Sequence, residues 1–199
     1  MLHEELAPHG LTVITVALDA DPERVRPFIE AARPTHPSLV DTTFRVAELY
    51  NIVNVPTTVW IDERGHIARP NDTGYVTDTF TSIHRIRSEP VIRSIRDWVH
   101  GRRPAMTDEE VRAWQDLPDA RHQLARTEFA VGRWLAGHEY AEAAERHFVR
   151  AGELAPYDFT IRRGSMPIRE IDPMGEQFIE MAIDWAKRGE SYYRKLPDD

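Results

Sequence analysis

The pattern of apolar and polar residues in the first part of the chain alternates between segments typical of strands and segments typical of helices. A nearly unbroken run of β-branched and aliphatic residues, LTVITVAL at 11–18, predicts a strand buried on both faces. A helix is expected next, with Asp21 as its cap and Pro22 in its first turn. Pro27 should kink this helix or restart it near Phe28, because a proline inside a helix removes a hydrogen bond. A buried strand of this kind is typical of a parallel sheet.

The strand and helix patterns then repeat. Residues 37–41, PSLVD, predict a short strand, and Asp41 is expected to cap a helix that leads to Asn51. The segment TTVWID at 57–62 predicts a further strand, and the glycine turn at 63–65 predicts a hairpin with an antiparallel partner. This alternation predicts an α/β sheet with an antiparallel edge.

The pattern changes after residue 70. Residues 70–90 are polar with interspersed aromatic residues and predict an irregular excursion, whereas residues 91–99 have helical spacing. A capping box at 107–110 then begins a segment with helical patterns throughout. We therefore predict an α/β domain at 1–103 and an all-α domain at 104–199. The longer helices of the second domain are predicted over 120–137, 141–154 and 172–189.

Composition excludes several classes of function. The chain has 199 residues, enough to bury a substantial core, and its formal charge of -8 argues against nucleic acid as a main partner. No stretch approaches the roughly 20 apolar residues of a membrane span, and the N-terminus lacks a secretory pattern, so we expect a cytoplasmic protein with no membrane partner. The chain contains no cysteine, which excludes disulfides, thiolate metal sites and cysteine nucleophiles of its own.

Short motifs of catalytic or metal chemistry are absent from the sequence. The nine histidines form no His-Glu-x-x-His pattern, and there is no nucleophile elbow, phosphate loop or dinucleotide glycine motif, so no catalytic residue, metal or cofactor is predicted. His138 and His147 are expected to be solvated or satisfied, although they could approach each other across a helical hairpin. Asp19 and Asp62 are expected to serve turns or caps. The tryptophans are expected to anchor cores and the interdomain seam: Trp60, Trp98, Trp114, Trp134 and Trp185.

One combination of residues is more specific than these patterns. It consists of a tyrosine, a valine and proline, a threonine, an apolar strand and an acidic glycine turn: Tyr50, Val55, Pro56, Thr57, Val59, Ile61, Asp62 and Gly65. With the strands and helices around it, this stretch of 10–70 resembles thioredoxin-like proteins of the TlpA and ResA type, and peroxiredoxin-related domains share parts of it. The resemblance extends more loosely to the helix at 90–100, and the excursion at 71–89 departs from it.

The resemblance implies a role for the loop before the third strand. In that family the proline that matches Pro56 follows a cis peptide bond, and the turn presents the backbone of the preceding residue, here Val55, to an extended substrate. The resemblance therefore marks Val55, Pro56 and Thr57 as a peptide-binding loop.

Family members also carry a Cys-x-x-Cys motif where a strand meets a helix. MLHEELAPHG at 1–10 aligns with the latter part of that helix, so the resemblance implies that the preceding strand is absent. This strand would lie between the strands at 11–18 and 57–61. Three alternatives remain: the two strands pair directly in a reduced sheet, another chain fills the gap, or the open reading frame begins upstream.

A second resemblance, carried by spacing in the helical half, is to a tetratricopeptide repeat. The matching positions are Gly132, Leu135, Ala144, Phe148, Ala151 and Pro156. Because a lone repeat cannot bury its own faces, we expect a helical hairpin packed on the first domain, with a partner-binding groove as the alternative. The loop at 162–175 is expected to be an ordinary connection, with an adaptable contact surface as its alternative.

These observations predict a redox-inactive, thioredoxin-like binding module. It would contact a protein or an extended peptide through Val55, Pro56 and Thr57 and through the helical domain, and a homo-oligomer is compatible with the sequence. The alternative is a thiol-disulfide oxidoreductase or peroxiredoxin relative whose catalytic segment lies upstream of this start. A third reading makes the N-terminal half only a platform for the helices.

Overall fold

The computed structural model describes residues 2–73, 78, 87–194 and 196, so most of the excursion predicted at 70–90 lies outside the described residues. The first half contains α1 (Leu2–Leu6), β1 (Thr15–Leu18), α2 (Pro22–Ala32), β2 (Ser38–Asp41), α3 (Arg45–Leu49), β3 (Thr58–Ile61), β4 (Ile67–Asp72) and α4 (Glu89–Val99). The second half contains α5 (Asp108–Trp114), α6 (Ala120–Ala136), α7 (Ala141–Leu154), α8 (Phe159–Ser165) and α9 (Glu176–Arg188). The mixed α/β class is therefore confirmed, and α8 is a helix that the sequence patterns did not predict.

The four strands form two small sheets rather than one. Strand β1 pairs in parallel with β2, and β3 pairs with β4 as an antiparallel hairpin whose turn contains Gly65 at φ +82°. Among the described residues no strand ladder joins the two sheets, so direct pairing of the strands at 11–18 and 57–61 is wrong.

Strand β1 is also less buried than its apolar sequence predicts. Thr15 is exposed and the following three residues are only partly buried, and among the described residues β1 has a strand neighbour on one edge only. Burial on both faces, predicted from LTVITVAL, is therefore wrong. The regular strand is also shorter than that run.

Helix α2 is continuous across its internal proline. The side chain of Asp21 accepts a hydrogen bond from the Glu23 N–H at 3.0 Å, as predicted for a cap. Pro27 lies inside the helix without a restart at Phe28, so the restart is wrong, and a kink at Pro27 stays a prediction. The proline removes only the single hydrogen bond that its own N–H would make, and the turns on either side of it persist.

The helical hairpin α6–α7 packs on the first half through aromatic residues. Phe129 of α6 meets Phe44 edge to face, with ring centroids 5.0 Å apart, and both belong to one buried cluster with Phe148 and Ile161. Within the hairpin, Gly132 lies against Phe148 so closely that an added Cβ would stand 2.8 Å from the ring. The expected packing of the hairpin on the first half of the chain is confirmed, and the domain boundary near 103 stays a prediction.

Two further apolar clusters are buried within the described part of the chain. Leu6, Trp60, Ala68 and Ile95 form the centre of the first half, and Trp60 stacks at a tilt on Trp98 with 5.2 Å between centroids. The other cluster joins α8 to α9 through Phe159, Met166 and Met181. Not every tryptophan anchors a core: Trp134 is 58% exposed and stacks on His138, so the prediction is wrong for this residue.

Candidate functional site

The loop at 53–57 connects α3 to β3 and contains the three residues that the sequence marks for peptide binding. The Val55–Pro56 peptide bond is cis, as the resemblance implies. Val55 is 49% exposed and Pro56 is exposed, but Thr57 is partly buried. The Thr57 hydroxyl donates a hydrogen bond to the Asn54 carbonyl at 2.7 Å, so its side chain is already engaged within the loop.

Helix α8 holds the residues just before the exposed part of the loop. The backbone N–H of Phe159 donates to the Val53 carbonyl at 2.8 Å. The Thr160 hydroxyl donates its hydrogen to Asp158 Oδ1 at 2.6 Å and lies 3.3 Å from the Ile52 carbonyl. The bond from Phe159 satisfies a carbonyl that has no strand partner. The N-terminus of α8 therefore fixes the position of the loop.

A buried carboxylate organises that helix N-terminus. Asp158 caps α8 by accepting hydrogen bonds from the N–H groups of Thr160 and Ile161, at 2.8 and 3.1 Å. Its other oxygen lies 2.7 Å from His122 Nε2 and 3.9 Å from the guanidinium of Arg126. Asp158 thus connects α6 to the N-terminus of α8, the helix end that contacts the loop.

The hydroxyl of Tyr193, near the C-terminal end of the described chain, holds the other side of the loop. Its oxygen accepts hydrogen bonds from the N–H groups of Val53 and Asn54, at 3.1 and 3.4 Å. Because Thr57 gives its only hydroxyl hydrogen to the Asn54 carbonyl, the Tyr193 O–H donates to Thr57 Oγ1 at 2.7 Å. Burial raises the pKa of Tyr193, so this hydroxyl keeps its proton at neutral pH.

The backbone of Val55 lies in the exposed part of the loop. Within the described residues, neither its N–H nor its C=O has a hydrogen-bond partner. Both groups belong to an exposed residue at the edge of a cleft lined by Asn54, Val55, Phe159, Arg163 and Phe178. At Val55 the loop therefore offers a donor and an acceptor that no described residue pairs, beside a partly apolar cleft.

The structure adds residues to the site that the sequence did not mark. Phe159, Arg163 and Phe178 line the cleft, and the Tyr193 hydroxyl accepts a hydrogen bond from the loop backbone. Only Arg163 had a signal in the sequence, since it lies in the loop at 162–175 for which an adaptable contact surface was the alternative.

The other candidate groups have ordinary structural roles. Asp19 and Asp62 accept hydrogen bonds from backbone N–H groups two residues ahead, which confirms the predicted turn chemistry. His147 pairs with Glu128 at 2.5 Å and His138 with the Trp134 carbonyl at 2.7 Å, so the two histidines have separate partners. No group of three or more potential metal ligands occurs within the described part of the chain.

Comparisons of the chain with protein-family models, curated proteins and solved structures found no match. As for membranes, none of the described helices combines the length and apolar character needed to cross a bilayer.

Replacing Tyr193 with Phe should lower the free energy of unfolding by about 1–3 kcal/mol, because it leaves the N–H groups of Val53 and Asn54 without their acceptor. Urea denaturation followed by circular dichroism measures the change. Tyr140→Phe is the matched control, since Tyr140 is exposed, and its effect should stay within about 0.5 kcal/mol. Equal stabilities of the two variants would contradict the supporting role of Tyr193.

Proposed function

We propose that this chain is a redox-inactive, thioredoxin-like module that binds an extended polypeptide at the loop 53–57, with a tetratricopeptide-like helical region that supports the loop. One observation carries the proposal: the backbone N–H and C=O of Val55 lie at an exposed edge, and no residue in the described part of the chain pairs with them. A partner in extended conformation can satisfy both groups with its own main chain, as an added strand does. Binding of this kind requires little from the loop side chains.

The environment of the loop supports the same proposal. Hydrogen bonds join Val53 and Asn54 to Phe159 and Tyr193, so the backbone that follows them is held in a defined position before a partner binds. A preorganised loop loses less conformational entropy on binding than a mobile one. The helical half thereby contributes to binding without forming the contact with the partner backbone.

The size of the adjacent cleft favours a polypeptide over a small molecule. The cleft holds about 50 Å³, whereas small-molecule sites are usually clefts of about 300–1,000 Å³. A cleft this small can take the end of one side chain from a longer ligand. The chain has no cysteine, so the proposed function includes no thiol chemistry by its own residues.

Amide hydrogen exchange at Val55 tests the proposal. We expect the exchange rate of the Val55 amide, measured by NMR, to fall by at least about tenfold when S-carboxymethylated insulin B chain, an extended polypeptide without free thiols, saturates the protein. The fall is expected because the probe backbone accepts the hydrogen bond that Val55 lacks in the free protein.

The amide of Glu63 serves as the control in the same spectra. Glu63 is exposed in the hairpin turn at the opposite end of β3, so its exchange rate should not change. An unchanged Val55 rate in the presence of excess probe would refute the proposed use of the loop.

A further inference from the structure

Arg163 is a partly buried cation at the cleft, without an acidic partner. Its guanidinium lies over the Phe178 ring, 4.6 Å from the centroid, and no carboxylate in the described residues forms an ion pair with it. Arg169, six residues later, shows the usual arrangement, with a 2.6 Å ion pair to Glu145. Arg163 is thus a charge that the described structure leaves uncompensated.

The guanidinium of Arg163 also has unused donors. Its Nε donates to the Pro173 carbonyl at 3.0 Å and its Nη2 contacts the sulfur of Met174 at 2.9 Å. Two of five N–H donors are therefore engaged, and Nη1 makes no hydrogen bond within the described part of the chain. The free hydrogens on Nη1 and Nη2 match the two oxygens of a carboxylate, which arginine commonly binds in this forked geometry.

The surroundings of Arg163 make an incoming anion favourable. Burial lowers the pKa of the Arg163 guanidinium, and no neighbouring charge offsets that effect. A carboxylate entering the cleft would supply the missing opposite charge in a partly desolvated place, where charged hydrogen bonds are stronger than in water. The phenyl rings of Phe159 and Phe178 also line the cleft, so they would contact the apolar stem that carries the carboxylate.

We propose that the cleft beside Val55 binds a carboxylate of the extended polypeptide, so that the module selects acidic segments or chain ends. The inference rests on the proposed function, because the polypeptide must first lie along Val55. Charge complementarity favours a carboxylate, since Arg163 is a half-buried cation whose Nη1 has no partner among the described residues. The cleft of about 50 Å³ also fits a carboxylate better than a ring.

Three labelled heptapeptides of alternating Ser and Val test the inference by fluorescence anisotropy with the full chain. Two have both ends blocked and carry either Glu or Gln in the middle, and the third is the Gln peptide with a free C-terminal carboxylate. We expect at least about tenfold tighter binding of a peptide with a carboxylate than of the blocked Gln peptide. A preference for the Glu peptide identifies a side-chain carboxylate, and a preference for the third peptide identifies a chain end.

Variants locate the preference at Arg163. The preference should disappear in Arg163→Gln, persist in part in Arg163→Lys and remain complete in Arg146→Gln, a control at an exposed position of α7. Equal affinity of the unaltered chain for all three peptides would overturn the carboxylate site while leaving the proposed function intact. Failure of all three peptides to bind would overturn both. The comparison on the unaltered chain decides the question even if a variant fails to fold.

Discussion

Replacing Phe129 with Ala is expected to lower the free energy of unfolding by about 3–5 kcal/mol. The ring is 4% exposed and contacts Phe44 edge to face, and its centroid lies 6.0 Å from that of Phe148. The guanidinium of Arg133 also lies 5.2 Å from the Phe129 centroid. The substitution therefore opens a cavity where the hairpin α6–α7 meets the first half. Urea denaturation followed by tryptophan fluorescence measures the loss.

Phe28→Ala is the matched control, because it removes the same atoms from a position that is 76% exposed. Its effect should stay within about 0.5 kcal/mol. If Phe129→Ala costs less than about 1 kcal/mol, the two halves do not share the buried core that the structure shows. A loss near the expected value would show that packing across the seam contributes directly to stability.

The features that could be predicted from the sequence depend on residues close together in the chain. The capping box of α5 forms as expected, with Thr107 Oγ1 accepting from the Glu110 N–H at 3.2 Å and the Glu110 carboxylate accepting from the Thr107 N–H at 2.8 Å. The turn at Gly65 and the cap at Asp21 are equally local. Such signals are reliable because the responsible groups meet within three or four residues, whatever the rest of the fold does.

The missed features depend on contacts between distant parts of the chain. Tyr193 lies 136 positions beyond Thr57, and nothing in the tail sequence indicates that its hydroxyl will reach the loop. The prediction that β1 is buried on both faces was wrong for the same reason. An apolar run favours burial, but whether it is buried depends on the elements that pack against it. The sequence resemblance identified Val55 and Pro56 as candidate binding residues. Arg163 became a candidate only when the structure placed it in the cleft.

The loop and the helical half are therefore best regarded as one unit. The loop backbone has hydrogen bonds to α8 and to Tyr193, and the seam beside it is closed by two arginines of α6. Arg126 donates to the Glu48 carbonyl and the Asn51 side chain, and Arg133 donates to the carbonyls of Thr42 and Thr43. Changes in the helical half should consequently alter both the stability of the chain and the order of the proposed binding loop.

Asp158→Ala tests this coupling and should lower the free energy of unfolding by about 3–5 kcal/mol, as expected when one partner of a buried charged cluster is removed. The Asp158 side chain is 1% exposed, caps α8 and lies 2.7 Å from His122 Nε2. Its loss leaves the guanidinium of Arg126, whose pKa burial already lowers, without its nearest carboxylate. Urea denaturation at neutral pH measures the change.

Asp119→Ala separates the buried cluster from ordinary helix capping. Asp119 caps α6 by accepting from the His122 N–H at 2.7 Å, but it is exposed, so its replacement should cost only about 1 kcal/mol. Hydrogen exchange provides a second readout: the Phe159 amide, which donates to the Val53 carbonyl, should lose protection in Asp158→Ala and keep it in Asp119→Ala. Equal costs for the two substitutions, with Phe159 protected in both, would show that Asp158 acts only as a cap. The loop would then owe its position to Tyr193 and to the aromatic seam instead.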